Sequence, residues 1–192
     1  MAHHQILIIG GGTGGIMTAA QLKRKNSKLD VAIIEPSDKH YYQPAWTLVG
    51  AGTYDYQDTI REEKRYIPNG VKWIRDWVTQ LDPKEHALDT KESGRITYDY
   101  LVVSPCLINN LDAIKGLKET LGKNKVGSVY TDPNYVWECL KSTQKGQAVF
   151  TQPAGAFKCG GAPQKIMYLS EHHFRKKGVR DDVNVVFATP GT

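Results

Sequence analysis

The sequence predicts an α/β protein: a doubly wound parallel sheet with a small antiparallel insertion, followed by an incomplete second βαβ domain. Three observations carry this expectation. A β-branched apolar run, Gln5-Ile6-Leu7-Ile8-Ile9, leads directly into the turn Gly10-Gly11-Gly12-Thr13-Gly14-Gly15. Helix formers and a second apolar run then complete one βαβ unit within roughly 30 residues. A strand–helix–strand pattern recurs between residues 148 and 188, in a chain of 192 residues that is 40% hydrophobic and long enough to bury a core.

The elements follow in order. Residues 5–9 form a continuous apolar strand of the kind buried in parallel sheets. Residues 16–24 read as a helix with a basic end suited to its C-terminus. Residues 31–34 form a second buried strand that ends at Glu35. Residues 40–56 read as an aromatic loop and 60–66 as a short charged helix. Five short strands are expected at 71–74, 78–81, 86–89, 95–97 and 100–103, with turns at Asp82-Pro83-Lys84 and Glu92-Ser93-Gly94. They suit an antiparallel insertion that returns to the main sheet. Residues 107–130 connect the domains, so the expected organisation is 1–106, 107–130 and 131–192. Asp132-Pro133 is an N-cap followed by proline at the first helical position, and that helix runs to about residue 144. A strand at 148–150, a long loop at 151–162, a helix at 163–177 and a strand at 183–188 complete the pattern. The sequence ends at Thr192 just after a strand, where a doubly wound sheet still needs cover, and this predicts a cut chain.

Composition excludes several classes. Lys+Arg 25 against Asp+Glu 20 gives a formal charge of +5, with the basic residues scattered, which argues against nucleic acid as a partner. The charged fraction of 23% is that of a globular chain, not a disordered or collagen-like one. No apolar run approaches the ~18 residues of a membrane span. Met1-Ala2-His3-His4-Gln5 carries neither a secretory apolar stretch nor an Arg-rich transit segment, so a targeting signal is expected to be absent or removed. Three cysteines are too few, and odd in number, for a secreted disulfide scaffold.

Two motifs carry chemistry. Gly10-x-Gly12-x-x-Gly15, between a strand and a helix, is the dinucleotide fingerprint in its confirming context. Backbone N–H groups around Thr13 and Gly14 would hold a pyrophosphate. Glu35, at the end of the second strand, is placed for ribose hydroxyls. The alternative is a glycine turn without a ligand. The N-terminal position of the motif favours FAD over NAD. Cys159 stands in Phe157-Lys158-Cys159-Gly160-Gly161-Ala162-Pro163, a glycine-rich stretch opening onto a helix. A thiol near a helix start and flanked by Lys158 and Lys165 gains thiolate character; the alternative is a buried structural cysteine. Flavoproteins that take hydride from NADH commonly carry a second glycine fingerprint in the second βαβ unit. Here Gly155, Gly160 and Gly161 are out of register for it, which points to a thiol or sulfide as reductant.

Together with residues 10–15, Ile34-Glu35-Pro36-Ser37, residues 40–52 (with Tyr42-Gln43-Pro44), 98–103 and 158–169 resemble the N-terminal part of sulfide:quinone oxidoreductases. These are flavoproteins of the pyridine nucleotide-disulfide oxidoreductase-like superfamily, and the mitochondrial-type branch is the most similar. The resemblance spans essentially the whole chain. It implies an FAD enzyme that oxidises hydrogen sulfide, passes sulfane sulfur to a small thiol or sulfite, and sends two electrons through the flavin to quinone. Cys159 matches the first of two redox cysteines and the persulfide carrier. Implied flavin contacts are Thr13 and Gly14 at the pyrophosphate, Glu35 at the ribose, Gln43 near the isoalloxazine and backbone at Val78 on the adenine side. A membrane surface is implied for the intact enzyme. The implied location is the mitochondrial inner membrane, with a bacterial inner membrane or cytoplasm as alternatives.

The sequence departs from the family in three ways. The second redox cysteine and a later Gly-Asp flavin segment fall beyond Thr192, and family members are about twice as long, as two full dinucleotide domains require. Cys106 stands where the strand-end motif normally closes with glycine, a position that often needs positive φ, which predicts altered flavin packing there. Cys139, beside Trp137, reads as packing. His172-His173 point about 100° apart on a helix and read as solvated surface, not as a metal pair; no metal site is expected. His3-His4 read as terminal decoration. Tyr41, Tyr42 and Trp46 either stack near flavin or line the core. Two other functions stay open: an NADH:quinone or ferredoxin-type reductase, and a truncated non-catalytic fragment.

Overall fold

The computed structural model describes residues 1–155 and 157–190. Ala156, within the predicted 151–162 loop, and Gly191 and Thr192, at the predicted cut, lie outside the described residues. The chain forms two compact units: Met1–Tyr41 with Ile60–Ile108, and Tyr42–Thr59 with Asn109–Thr192.

The first unit is built on a six-stranded sheet. Strand β1 (Ala2–Ile9) leads through the glycine turn into helix α1 (Thr13–Lys25), which returns to β2 (Val31–Ile34). A short antiparallel pair, β3 (Lys39–Tyr41) and β4 (Ile60–Glu62), stands beside the sheet. Strands β5 (Val71–Ile74), β6 (Val78–Asp82), β7 (Ala87–Thr90) and β8 (Arg95–Val103) complete it, in the order β5-β2-β1-β8-β7-β6. Strands alternate their side chains between faces, and that alternation divides the core. Ile6, Ile8, Val31 and Ile33 pack with Ala19 of α1. Leu7, Ala32 and Ile34 join Ile74, Leu88, Ile96 and Tyr98 on the other face.

Several expectations change here. Strand β1 begins at Ala2, so His3 and His4 are sheet residues and not terminal decoration. His4 is buried, and its Nδ1 meets Asp30 Oδ2 at 2.9 Å. Residues 71–74 do not belong to an antiparallel insertion: β5 pairs parallel with β2, Val71 opposite Val31. Residues 95–97 and 100–103 form one strand, which pairs antiparallel with β7 and parallel with β1. The antiparallel strands thus extend the main sheet. Residues 60–66 are not one helix. Ile60 is drawn into pairing with Tyr41, and only Glu63–Arg65 makes a helical turn.

In the second unit, a 3₁₀ turn at Gln43–Ala45 runs into helix α2 (Trp46–Gly50), where a loop was expected. Pro44 suits that first turn, and Trp46, Thr47, Val49 and Gly50 are buried. Helix α3 (Leu117–Thr120) lies within the predicted connection. Helix α4 (Pro133–Ser142) starts as expected: Tyr135 N–H donates to Asp132 Oδ1 at 2.9 Å. Strand β9 (Gly146–Thr151), helix α5 (Gly161–Lys177) and β10 (Val183–Ala188) form the second βαβ unit, with β9 and β10 parallel. Ala51, Val129, Leu140, Ile166, Phe174 and Val183 make its core. Residues 42–59, read from sequence as part of the first domain, therefore pack with the second. Among the described residues, no helix is long and apolar enough to cross a membrane.

Candidate functional site

In the first unit, the turn between β1 and α1 has the geometry that the glycine spacing demands. Gly10 has φ +100°, and a side chain there would collide with the Ser104 carbonyl. A Cβ on Gly15 would overlap the Gly10 carbonyl oxygen, so helix and strand approach only because it is absent. A Cβ on Gly12, by contrast, would meet no heavy atom within 4 Å. That open side is where a pyrophosphate needs room. Gly12, Thr13 and Gly14 are exposed at the start of α1, where the first N–H groups have no intrahelical acceptor and attract anions.

Glu35 follows β2 and is held on both carboxylate oxygens. Gly11 N–H donates to Oε2 and Ser37 N–H to Oε1, each at 2.8 Å. Its backbone is tied by Trp73 Nε1–H to the Glu35 carbonyl, also at 2.8 Å. The glycine turn and the carboxylate therefore form one framework, and an open turn, a free helix start and an oriented acid fit the adenosine-diphosphate half of FAD. Val78 opens β6 just after β5 and packs against the cluster containing Ile34 and Ile74. Cys106 is exposed and is not among the positive-φ residues. Its side chain meets no backbone penalty, so the altered packing expected at that position has no basis in φ.

The second unit holds the thiol. Cys159 is exposed just before α5, not sealed in a core. Its pKa is lowered, first by N–H groups of Gly161 and Ala162, then by the Tyr130 hydroxyl and by the charge of Lys165. The sequence assigned this effect to the helix start and to two lysines; the helix start and Lys165 contribute, but Lys158 is engaged elsewhere. Its ammonium donates to Gln43 Oε1 and lies 5.6 Å from the centre of the Tyr130 ring. Lys165 Nζ donates to the Pro44 carbonyl at 3.3 Å. Gln43 and Cys159, far apart in sequence, thus share one neighbourhood.

Two residues of these sites escaped the sequence reading. Tyr130 is half-buried, and burial and the neighbouring Cys159 raise its own pKa. Glu63 is buried beside the glycine turn and bonds His40 Nδ1 through Oε2 at 3.1 Å. Neither lies in a local motif; only the count of aromatic and charged residues hinted at them. The pair His172-His173 also divides: His172 is exposed, but His173 stands edge-on to Trp137 at 4.9 Å and burial lowers its pKa. Trp46 Nε1–H donates to Thr59 Oγ1 at 3.3 Å within the second unit's interior, and Cys139 is half-buried on α4. Among the described residues, no group of three or more potential ligands is placed to hold a metal ion.

Comparisons with known proteins show the family and the fold. The family model described as pyridine nucleotide-disulphide oxidoreductase matches residues 4–132. The chain is 48% identical to the mitochondrial sulfide:quinone oxidoreductase of Dictyostelium discoideum, across 97% of this chain and 42% of that protein. It is 43% identical to the mitochondrial sulfide:quinone oxidoreductase of Mus musculus, with the same two coverages. A solved sulfide:quinone oxidoreductase from the hyperthermophilic bacterium Aquifex aeolicus superposes with a TM-score of 0.74 at 21% identity, over 98% of this chain and 43% of that one. The chain spans less than half the length of these relatives.

Proposed function

The chain belongs to the pyridine nucleotide-disulphide oxidoreductase family, and on that premise we propose that it is part of a mitochondrial enzyme that oxidises sulfide and reduces quinone. The observation that carries the reading is Cys159: an exposed thiol with a lowered pKa, held by backbone N–H groups at the start of α5. Such a group is a nucleophile and a leaving group for sulfur chemistry. Its support is the likeness to relatives named for sulfide and quinone.

Gly10, Gly12, Thr13, Gly14, Gly15 and Glu35 would hold the adenosine-diphosphate half of FAD, with Val78 on the adenine side and Gln43 near the flavin ring. Cys159 would be joined in a disulfide to a second cysteine of the longer protein. Hydrosulfide attacks the Cys159 sulfur: one S–S bond forms, the S–S bond to the second cysteine breaks, and that cysteine leaves as a thiolate with the electron pair. The Cys159 persulfide passes its outer sulfur to a small thiol or sulfite, leaving Cys159 as a thiolate. Gly161, Ala162 and Tyr130 stabilise that anion through their N–H and O–H donors. Re-forming the disulfide releases two electrons. FAD, held by the residues named above, would supply the two-electron acceptor for that pair and the reductant for a quinone, and a quinone dissolved in lipid would put the longer enzyme at the surface of the mitochondrial inner membrane.

Sulfide added to the flavin-loaded full-length enzyme is expected to bleach its flavin absorbance. Cys159→Ser is expected to abolish the bleaching while flavin loading stays unchanged. Equal bleaching in the serine variant would refute the assignment.

A further inference from the structure

Close to the glycine turn lies a carboxyl group with no part in the reaction above. Glu63 begins the helical turn after β4 and is 2% exposed. Its Oε2 meets His40 Nδ1, while Oε1 is buried without a hydrogen-bond partner among the described residues. A Cβ added to Gly11 would stand 2.5 Å from that Oε1 and 2.6 Å from Glu35 Cγ, so both acidic side chains converge on one glycine. Glu35 has two backbone donors for its charge; Glu63 has only the ring of His40. The charged neighbours on its own turn face outward: Arg65 pairs with exposed Glu62 at 3.0 Å. A buried oxygen without a donor resists full ionisation, and a second carboxylate nearby adds to that resistance. Burial pushes the Glu63 pKa up, His40 pulls it back and Glu35 adds to the rise, and the net direction is upward.

Resting on the dinucleotide reading of this turn, we propose that Glu63 is a positioning residue: its contact with His40 keeps one proton and no net charge beside Gly11, so that Glu35 alone faces the ribose as a carboxylate. Loss of that proton places a second negative charge beside the turn. It repels the pyrophosphate and competes with Glu35 for the Gly11 N–H.

The test is FAD binding to the full-length enzyme, followed by flavin fluorescence from about pH 5 to about pH 9. Wild-type affinity is expected to fall by about tenfold across the range, as a charge placed near a diphosphate at intermediate dielectric requires. Glu63→Gln and Glu63→Leu are expected to bind with no such fall across the range; the second variant decides if the first does not fold. Melting without FAD gives an independent reading. A carboxyl whose folded pKa is raised contributes stability below its unfolded value and loses it as pH rises through the folded value. Wild-type melting temperature should therefore fall with pH relative to Glu63→Gln. The same pH slope in wild type and variants, with binding intact, overturns the role of Glu63 alone. Failure of the wild type to bind FAD at any pH overturns the dinucleotide reading, and the role toward Glu35 with it.

Discussion

At the scale of single residues, the thiol site depends on donors that come from different parts of the chain. Gly161 and Ala162 stabilise the Cys159 thiolate because the start of α5 leaves their N–H groups without intrahelical acceptors. Tyr130 adds an O–H donor from a loop 29 positions upstream. Removing it in Tyr130→Phe should raise the Cys159 pKa, because the anion loses a hydrogen bond and the neutral thiol loses much less. A hydrogen bond to a charged group is worth about 1.5 kcal/mol or more, so the pH midpoint of Cys159 alkylation by iodoacetamide should move up by about one unit. An unmoved midpoint would leave the thiolate to the backbone alone. Cys159 was legible in sequence because glycines, lysines and a helix start surround it locally. Tyr130 was not, since nothing in its own neighbourhood marks it as facing a thiol.

Among the elements, the first βαβ unit was readable because its signals are local: a β-branched run, a glycine turn and a helix with a basic last turn. Strand β2 was placed to the residue, and α4 began at its predicted cap. The middle of the chain was less readable because its strands are short and their partners distant. Ile60 to Glu62 became a strand by pairing with Lys39 to Tyr41, against the helical bias of its charged residues. Asp76 shows how such distant parts are joined. It follows β5, is 3% exposed, and accepts N–H groups from Trp77 at 2.7 Å and from Ser93, in the turn between β7 and β8, also at 2.7 Å. Burial alone would raise its pKa, but the bonds from Ser93, Trp77 and Thr90 outweigh it and hold the carboxyl far below the usual range. Asp76→Asn is expected to cost about 1.5–3 kcal/mol near neutral pH in urea unfolding, the range for hydrogen bonds to a charged group. A depressed carboxyl contributes stability above its unfolded pKa and loses it as pH falls toward the folded one. The gap between wild type and variant should therefore narrow at about pH 3; a constant gap would show that charge is not involved.

For the whole molecule, the three cysteines give the simplest accounting. Cys106 and Cys159 are exposed and Cys139 is half-buried on α4, and Cys159 has the backbone donors of Gly161 and Ala162 directed at its sulfur. In the full-length enzyme, Cys106→Ser with Cys139→Ser should leave sulfide-dependent flavin bleaching within about twofold, a change of under half a kcal/mol in the barrier. A loss comparable to that of Cys159→Ser would make one of them part of the sulfur relay. Sequence by itself determined the two βαβ units, the glycine turn between β1 and α1 and the thiol at a helix start, because each depends on spacing along a few adjacent turns of chain. Tertiary structure alone decided that residues 42–59 pack with the second unit, that β5 joins the parallel sheet, and that Glu63 and Tyr130 reach the two sites. Those outcomes depend on contacts between residues tens of positions apart, where burial and pairing outweigh local preference.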